Sequence, residues 1–590
     1  MSEATIQQAF ETARAHHQAG RLNDARQLYQ QILAQEPDHA ETLHLCGILE
    51  LQQGRFDTSI ELIERAIRLN PAAAHYHCNI GQAYLGAGRL KDAIDSLNRA
   101  LSMRPAYPDA LNNLGNALRA AGDIDGSIEA YRRAIELERG FVEAHTNLAE
   151  SLREKGYLDE AIAACRTALA LRPNSMEAHN HLGNALRDKG ELEESISEYR
   201  QALAINPSSP EVHNNIGTAR RVQGQLDEAI LAYQHALELK PHFASAQNNL
   251  AVALRDIGKI DESIKAQQRA IEMQPGWPLA EYNLGLLQLL KGDFEAGWAG
   301  YEQRLKVPEL APSRRTVAGP MWNGGDLQGK RLFVHAEQGL GDLIQFSRYV
   351  PMLADRGARV ALQCPIPLLR LFQCVGGVDT FVSTGSPSEP YDLQCPLLSL
   401  PARFGTRLET IPSDVPYLLP DSDLVETWRL RTGSGRLRVG LVWAGRPEHP
   451  NDRNRSISLA ELSPLFQVEQ VSFFSLQKGP AASQGAEADF ASRLTDFGNQ
   501  LSDMAETAAA MSNLDLIITV DTAAAHLAGA MGRPVWVLLP FVPDWRWMLH
   551  RDDSPWYPTM RLFRQPAAGD WAGAVDRVVQ TLRERSVQAQ

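Results

Sequence analysis

Nine glycines stand in one register: Gly20, Gly54, Gly88, Gly122, Gly156, Gly190, Gly224, Gly258 and Gly292, each 34 residues from the next. Prolines keep the same step at Pro37, Pro71, Pro105, Pro173, Pro207, Pro241 and Pro275, and Arg139 alone breaks their series. A period held this long demands copies of one supersecondary unit, each burying its apolar face on its neighbours. Each unit reads as two helices, for example AHNHLGNALRDK before Gly190 and LEESISEYRQALAI before Pro207. Glycine permits the tight turn between the helices, and proline ends the second helix and opens the next unit. Small residues such as Ala161, Ala202, Ala229 and Ala236 let helices approach, while Tyr131, Tyr199 and Tyr233 fill the space between them. At roughly 100–200 residues per domain, a chain this long would hold about three to five domains. A linear array has no single core, so that division does not apply to the first half.

This pattern resembles the tetratricopeptide repeat over residues 6–304. The last unit, GDFEAGWAGYEQRL, is degenerate, with Gly297 where others carry Ala or Ser, and is expected to cap the solenoid onto the second half of the chain. A second register lies in the first helices: Asn79, Asn113, Asn147, Asn215, Asn249 and Asn283, with His181 at the sixth unit's turn and Leu45 in the second unit. Asparagine is a mediocre helix former, so helix propensity does not favour it there. A row of amides can pair with the backbone of an extended polypeptide without reading its side chains, or can bond neighbouring backbone within the solenoid. The row resembles the asparagine ladder of O-GlcNAc transferases, which implies a held polypeptide acceptor.

Composition narrows the class. Hydrophobic residues at 44% and charged residues at 22% exclude collagen, a mostly disordered chain and a polytopic membrane protein. A net charge of −13 gives no bulk basic footprint for nucleic acid. The six cysteines include no CxxC pair, which argues against a disulfide framework or zinc module and for a reducing compartment. The first residues, MSEATIQQAFETARAHH, have no apolar core of a signal peptide, and no stretch reaches the roughly 18 apolar residues of a membrane helix. A cytoplasmic location is expected.

After Pro308 the period stops. Residues 305–330 read as a linker, and strands then alternate with helices. RLFVHA (331–336), ARVALQC (358–364), LRVGLVWAG (437–445), VSFFSLQKG (471–479), LDLIITVD (514–521) and PVWVLLP (534–540) are expected strands, with a break at TGSGR between two αβ units. The predicted architecture is an α-solenoid over 1–304, then two Rossmann-like domains over 331–430 and 431–590 in a glycosyltransferase-B arrangement. Its ligands would bind at the carboxyl ends of the strands.

Three strand-end segments carry candidate chemistry. In the first, Gly339 and Gly341 let backbone approach a ligand, and Asp342 is either a general base or the cap of the following helix. In the second, Asp521, Thr522, Ala523 and Ala524 open a helix whose free N–H groups suit a diphosphate, with His526 one turn on, as a ligand group or packed between helix and sheet. In the third, Lys478 either neutralises a leaving diphosphate or is a solvated loop lysine. Two further stretches are less committed. Arg453 or Arg455 in AGRPEHPNDRNRSIS either binds a phosphate or an acceptor or belongs to a solvated polar loop, and Trp545, Trp547, Trp556 and Tyr557, set among arginines at 540–565, either stack a base or sugar or seal a domain edge. The Asp123-Ile124-Asp125 triplet reads as a helix start, and no metal site or cofactor is expected.

The three segments together resemble the heptosyltransferase-type enzymes of glycosyltransferase family 9. The resemblance covers residues 331–565 loosely and implies Asp342 as base, Lys478 at the donor phosphates and Asp521–His526 as the diphosphate cradle. Ala523 stands where that family has glycine, so the turn must avoid positive φ. The expected activity is inverting transfer of a sugar from a nucleotide-diphosphate sugar to a polypeptide held by Asn113, Asn147, Asn215, Asn249 and Asn283. The rivals are a saccharide- or lipid-directed transferase docked by its repeats, and a non-enzymatic scaffold with a decayed transferase domain.

Overall fold

The computed structural model describes residues 3–310, 317–383, 385–433, 436–449 and 451–588. Part of the expected linker (311–316) and of the TGSGR break (434–435) lies outside the described residues. The chain divides into two compact units, Met1–Pro241 and His242–Gln590.

The first unit is a run of paired helices, from Glu3–Gln18 with Leu22–Gln35 to Pro210–Gln223 with Leu226–Leu239. Every glycine of the 34-residue register has a left-handed φ, between 72° and 92°, so each turn uses the conformation that only glycine adopts without strain. The expected tyrosine packing is present. A side chain at Gly115, Gly183 or Gly217 would strike the ring of Tyr131, Tyr199 or Tyr233. Asp123 caps its helix by accepting from the Gly126 N–H at 2.9 Å.

The second unit contains the last two helix pairs and the α/β part. The final pair, Pro278–Lys291 and Phe294–Tyr301, closes on two glycines, with a Cβ at Gly285 falling 2.6 Å from the Tyr301 backbone nitrogen. The sequence places a domain boundary at 304/305, whereas the compact division falls at Pro241/His242. The reason is apolar: Leu287, Leu289, Phe294, Trp298 and Tyr301 share one buried cluster with Leu332 and Val334 of the first sheet. The Trp298 indole also donates to the Thr406 carbonyl at 2.8 Å. The expected linker is partly fastened as well, since Trp322 is buried and its indole donates to Gly325.

Two all-parallel sheets follow. The first holds β1 (Arg331–His335), β2 (Arg359–Gln363), β3 (Val378–Val382) and β4 (Leu393–Pro396) in the order β3-β2-β1-β4. The second holds β5 (Leu437–Val442), β6 (Val471–Ser475), β7 (Leu494–Asp496), β8 (Leu516–Val520), β9 (Val535–Leu539) and β10 (Met560–Arg564) in the order β10-β9-β8-β5-β6-β7. In each sheet the winding reverses beside its first strand, between β1 and β4 and between β5 and β8. Loops leaving carboxyl ends at such reversals form the crevice where doubly wound sheets bind ligands. Here those loops are Ala336–Asp342 after β1, Trp443–Ser456 after β5 and Asp521–His526 after β8.

Candidate functional site

The loop after β1 turns through Gly339 into the short helix Leu340–Phe346. The turn after β8 passes Thr522, extended at φ −142°, into the helix Ala523–Ala530. Ala523 therefore opens its helix without positive φ, as an alanine at this turn requires. The two turns are packed together. A Cβ at Gly341 would lie 2.9 Å from the His526 ring and 3.5 Å from the Ala523 Cα, so only glycine fits at 341 without displacing that ring.

Asp342 divides its carboxylate between two partners. Oδ2 accepts from the Gly339 backbone N–H at 3.0 Å, the capping role, while Oδ1 accepts from Arg546 at 2.6 Å. Arg546, from the aromatic run, is buried and donates also to Asp544 at 2.8 Å and to the Gln345 amide oxygen at 2.7 Å. Burial pushes the Asp342 carboxyl up; Arg546 opposes this, and Asp544 and Glu337 add to it. Asp521, at the end of β8, is pushed up to about 6, by burial first and then by Asp544, with Arg546 and Arg455 pulling it down. Burial, then Arg546 and Arg348, hold the His526 imidazole neutral. His526 shares a 3.0 Å hydrogen bond with the Tyr557 hydroxyl and stacks on Trp547 with centroids 5.3 Å apart. The site thus gathers Asp342, Asp544 and Asp521 around one buried guanidinium.

The loop after β5 brings a second guanidinium. Arg455 donates to the Asp521 carbonyl at 3.2 Å and passes so close to Gly445 that a Cβ there would strike its Nη2. Lys478 has a partner of its own. β6 ends at Ser475, and the lysine ammonium, on an exposed residue, bonds the Leu501 carbonyl. Gln477 fills the strand-end position instead, its amide oxygen accepting from the Trp443 and Ala444 N–H groups at 2.9 Å. Trp545, Trp547, Trp556 and Tyr557 are all buried and seal the part, while Arg546 among them reaches the site.

One stability test follows from Asp521. A carboxyl whose pKa rises on folding binds more protons folded than unfolded between about 4 and 6. Its contribution is therefore full below about 4 and is lost as pH climbs through 6. Asp521→Asn is expected to raise the free energy of unfolding at pH 7.5 by an amount on the order of 1–3 kcal/mol, seen as a higher melting temperature, and to change it little at pH 4. Equal shifts at the two pH values would remove the proton from the account.

The amide register forms a row of its own. The side-chain amides of Asn147, Asn215 and Asn283 donate to the Asn112, Asn180 and Asn248 oxygens at 3.0, 2.9 and 3.0 Å, always 35 residues back. Asn79 makes the same step to His44 at 2.9 Å, and Asn113 makes a weak one to Cys78 at 3.6 Å. His181 instead pairs with Glu150 at 3.0 Å. Asn113 is buried, whereas Asn147, Asn215, Asn249 and Asn283 are half-buried. Each bond spends one amide N–H and fixes the amide plane, so the ladder first ties neighbouring repeats together. The accepting register, Asn112, Asn180 and Asn248, escapes sequence reasoning because its partner is a full repeat away. Its visible trace is the doublet written at Asn112-Asn113 and Asn248-Asn249.

Among known proteins, the tetratricopeptide repeat description matches residues 10–74, 45–110, 78–147, 112–175 and 214–278, and the TPR repeat description matches 183–220. Protein FlbA of Caulobacter vibrioides is 28% identical over 327 residues, covering 50% of this chain and 53% of that protein. The chain thus spans about half the length of the curated relative it matches. Among solved structures, the APC/C hetero-tetramer Cut9–Hcn1 is 19% identical over 48% of this chain and 56% of that one, with a TM-score of 0.39. A thermophilic TPR protein of Thermus thermophilus is 25% identical over 31% of this chain and all of its own, with a TM-score of 0.29. Residues 10–278 carry tetratricopeptide repeats. No described helix is long and apolar enough to cross a membrane.

Proposed function

We propose that this repeat protein is an inverting glycosyltransferase, with the two parallel sheets as the halves of a glycosyltransferase-B cleft. One observation carries the reading: the switch-point loops of both sheets meet, Gly341 against His526, beside the Asp342–Arg546 pair. The donor is a nucleotide-diphosphate sugar. The N–H groups of Ala523 and Ala524 at their helix start receive its diphosphate, and Arg455, bonded to the Asp521 carbonyl, supplies positive charge at the β8 turn. Lys478 reaches it only by leaving the Leu501 carbonyl. Asp342 accepts the proton of the acceptor hydroxyl as that oxygen attacks the anomeric carbon. The bond to the diphosphate breaks on the opposite face, so the configuration inverts.

The acceptor is a polypeptide, since tetratricopeptide arrays commonly bind proteins and the ladder amides are already oriented by their inter-repeat bonds. Those same bonds favour a second reading, in which the asparagines serve the array alone and the acceptor is a saccharide or lipid. Replacing Asn215, Asn249 and Asn283 together by Ala separates the two. The polypeptide reading expects the acceptor KM to rise at least about tenfold for protein substrates, with the donor KM unchanged. An unchanged acceptor KM selects the second reading.

A further inference from the structure

The ladder's inter-repeat bond has no counterpart beyond the last repeat. In earlier repeats the register of His44, Cys78, Asn112, Asn180 and Asn248 accepts the amide of the next rung. In the last repeat that register position is Tyr282, and no further rung follows it. Its helix, Pro278–Lys291, packs instead on the turn Trp545–Trp547 that carries Arg546. The Tyr282 ring lies 5.8 Å from that of Tyr301, which lies 5.9 Å from Trp545. Tyr282 is half-buried, and its phenol feels the charges of Asp544, Arg304, Arg546 and Asp342. Burial first, with Asp544 next, pushes that phenol up to about 12, so it remains a hydrogen-bond donor at neutral pH.

We propose that the last repeat forms the acceptor wall of the site, and that Tyr282, in the accepting register with no further rung to meet, contacts the backbone of an acceptor polypeptide through its hydroxyl. The proposal rests on the polypeptide reading above. Asn283, one residue on, is the last rung, and its amide is held by Asn248. Adjacent helical residues differ by about 100° in direction, so Tyr282 can face the Asp342–Arg546 pair while Asn283 faces the preceding repeat.

The test uses the full chain with p-azidophenylalanine at position 282 or, separately, at position 215, and a biotinylated 20-residue peptide pool rich in Ser and Thr. Capture of the peptide at both positions is the expected result. Capture at 215 alone would overturn the role of Tyr282 while leaving the polypeptide reading intact, and capture at neither would overturn both. Tyr282→Phe keeps the ring and its packing, so it separates the hydroxyl from the fold. The expected result is up to about tenfold weaker binding of the same labelled peptide by fluorescence anisotropy. Binding equal to that of the parent chain would overturn the hydrogen bond. Calorimetry with UDP, GDP and ADP reads the donor side independently of either outcome.

Discussion

Replacing Asp342 by Asn is expected to lower sugar transfer by about 10²–10⁴-fold while donor binding is spared. Asn keeps the shape and can still accept the Gly339 N–H, so the helix start survives. What it loses is basicity. Asp342 is the carboxylate beside the meeting point of the two switch-point loops, and burial raises its affinity for a proton, as a base working near neutrality requires. The measurement is kcat with a defined donor, alongside calorimetric donor affinity. Full turnover in the Asn variant would place the base elsewhere, with Asp521 the next candidate.

Arg546→Met is expected to destabilise the second unit by about 3–5 kcal/mol. Arg546 is the shared partner of Asp342, Asp544 and Gln345. Removing it leaves partly buried carboxylates without their cation, and the penalty is that of unpaired charge rather than of lost packing. Adding Asp342→Asn and Asp544→Asn should recover much of the loss. Thermal melts of the single and triple variants check this, and a triple variant no more stable than the single would show that packing, not charge, is the cause. Arg546→Lys should fall between, because an ammonium cannot reproduce the fork that reaches three partners.

The solenoid was legible because its turns need a backbone conformation that glycine supplies, and a 34-residue glycine register has no other simple origin. Strands β1, β2, β5, β6, β8 and β9 were legible as short apolar runs. β3, β4, β7 and β10 were not: β7 has three residues, and the β10 segment MRLFR is hidden in the aromatic run. The Asp342 and Asp521–His526 segments were found as strand-end motifs, and their contact could be expected only through the sheet order. Arg546 carried no local signal of its role, since its partner Asp342 is 204 residues away. It stood among several arginines, of which Arg551 instead pairs locally with Asp553. The division at Pro241/His242 was hidden because the apolar faces of the last repeats look like those of the others, although they pack on a sheet.

The central claim is that the paired strand-end loops bind a nucleotide-diphosphate sugar. Isothermal titration of the full chain with a panel of nucleoside diphosphates and their sugars tests it most directly. The account predicts saturable binding of one nucleotide class at one site per chain, weakened when Arg455 is replaced by Ala. Absence of binding across the panel, with the chain folded, would contradict it and leave the α/β part as a scaffold for the repeats.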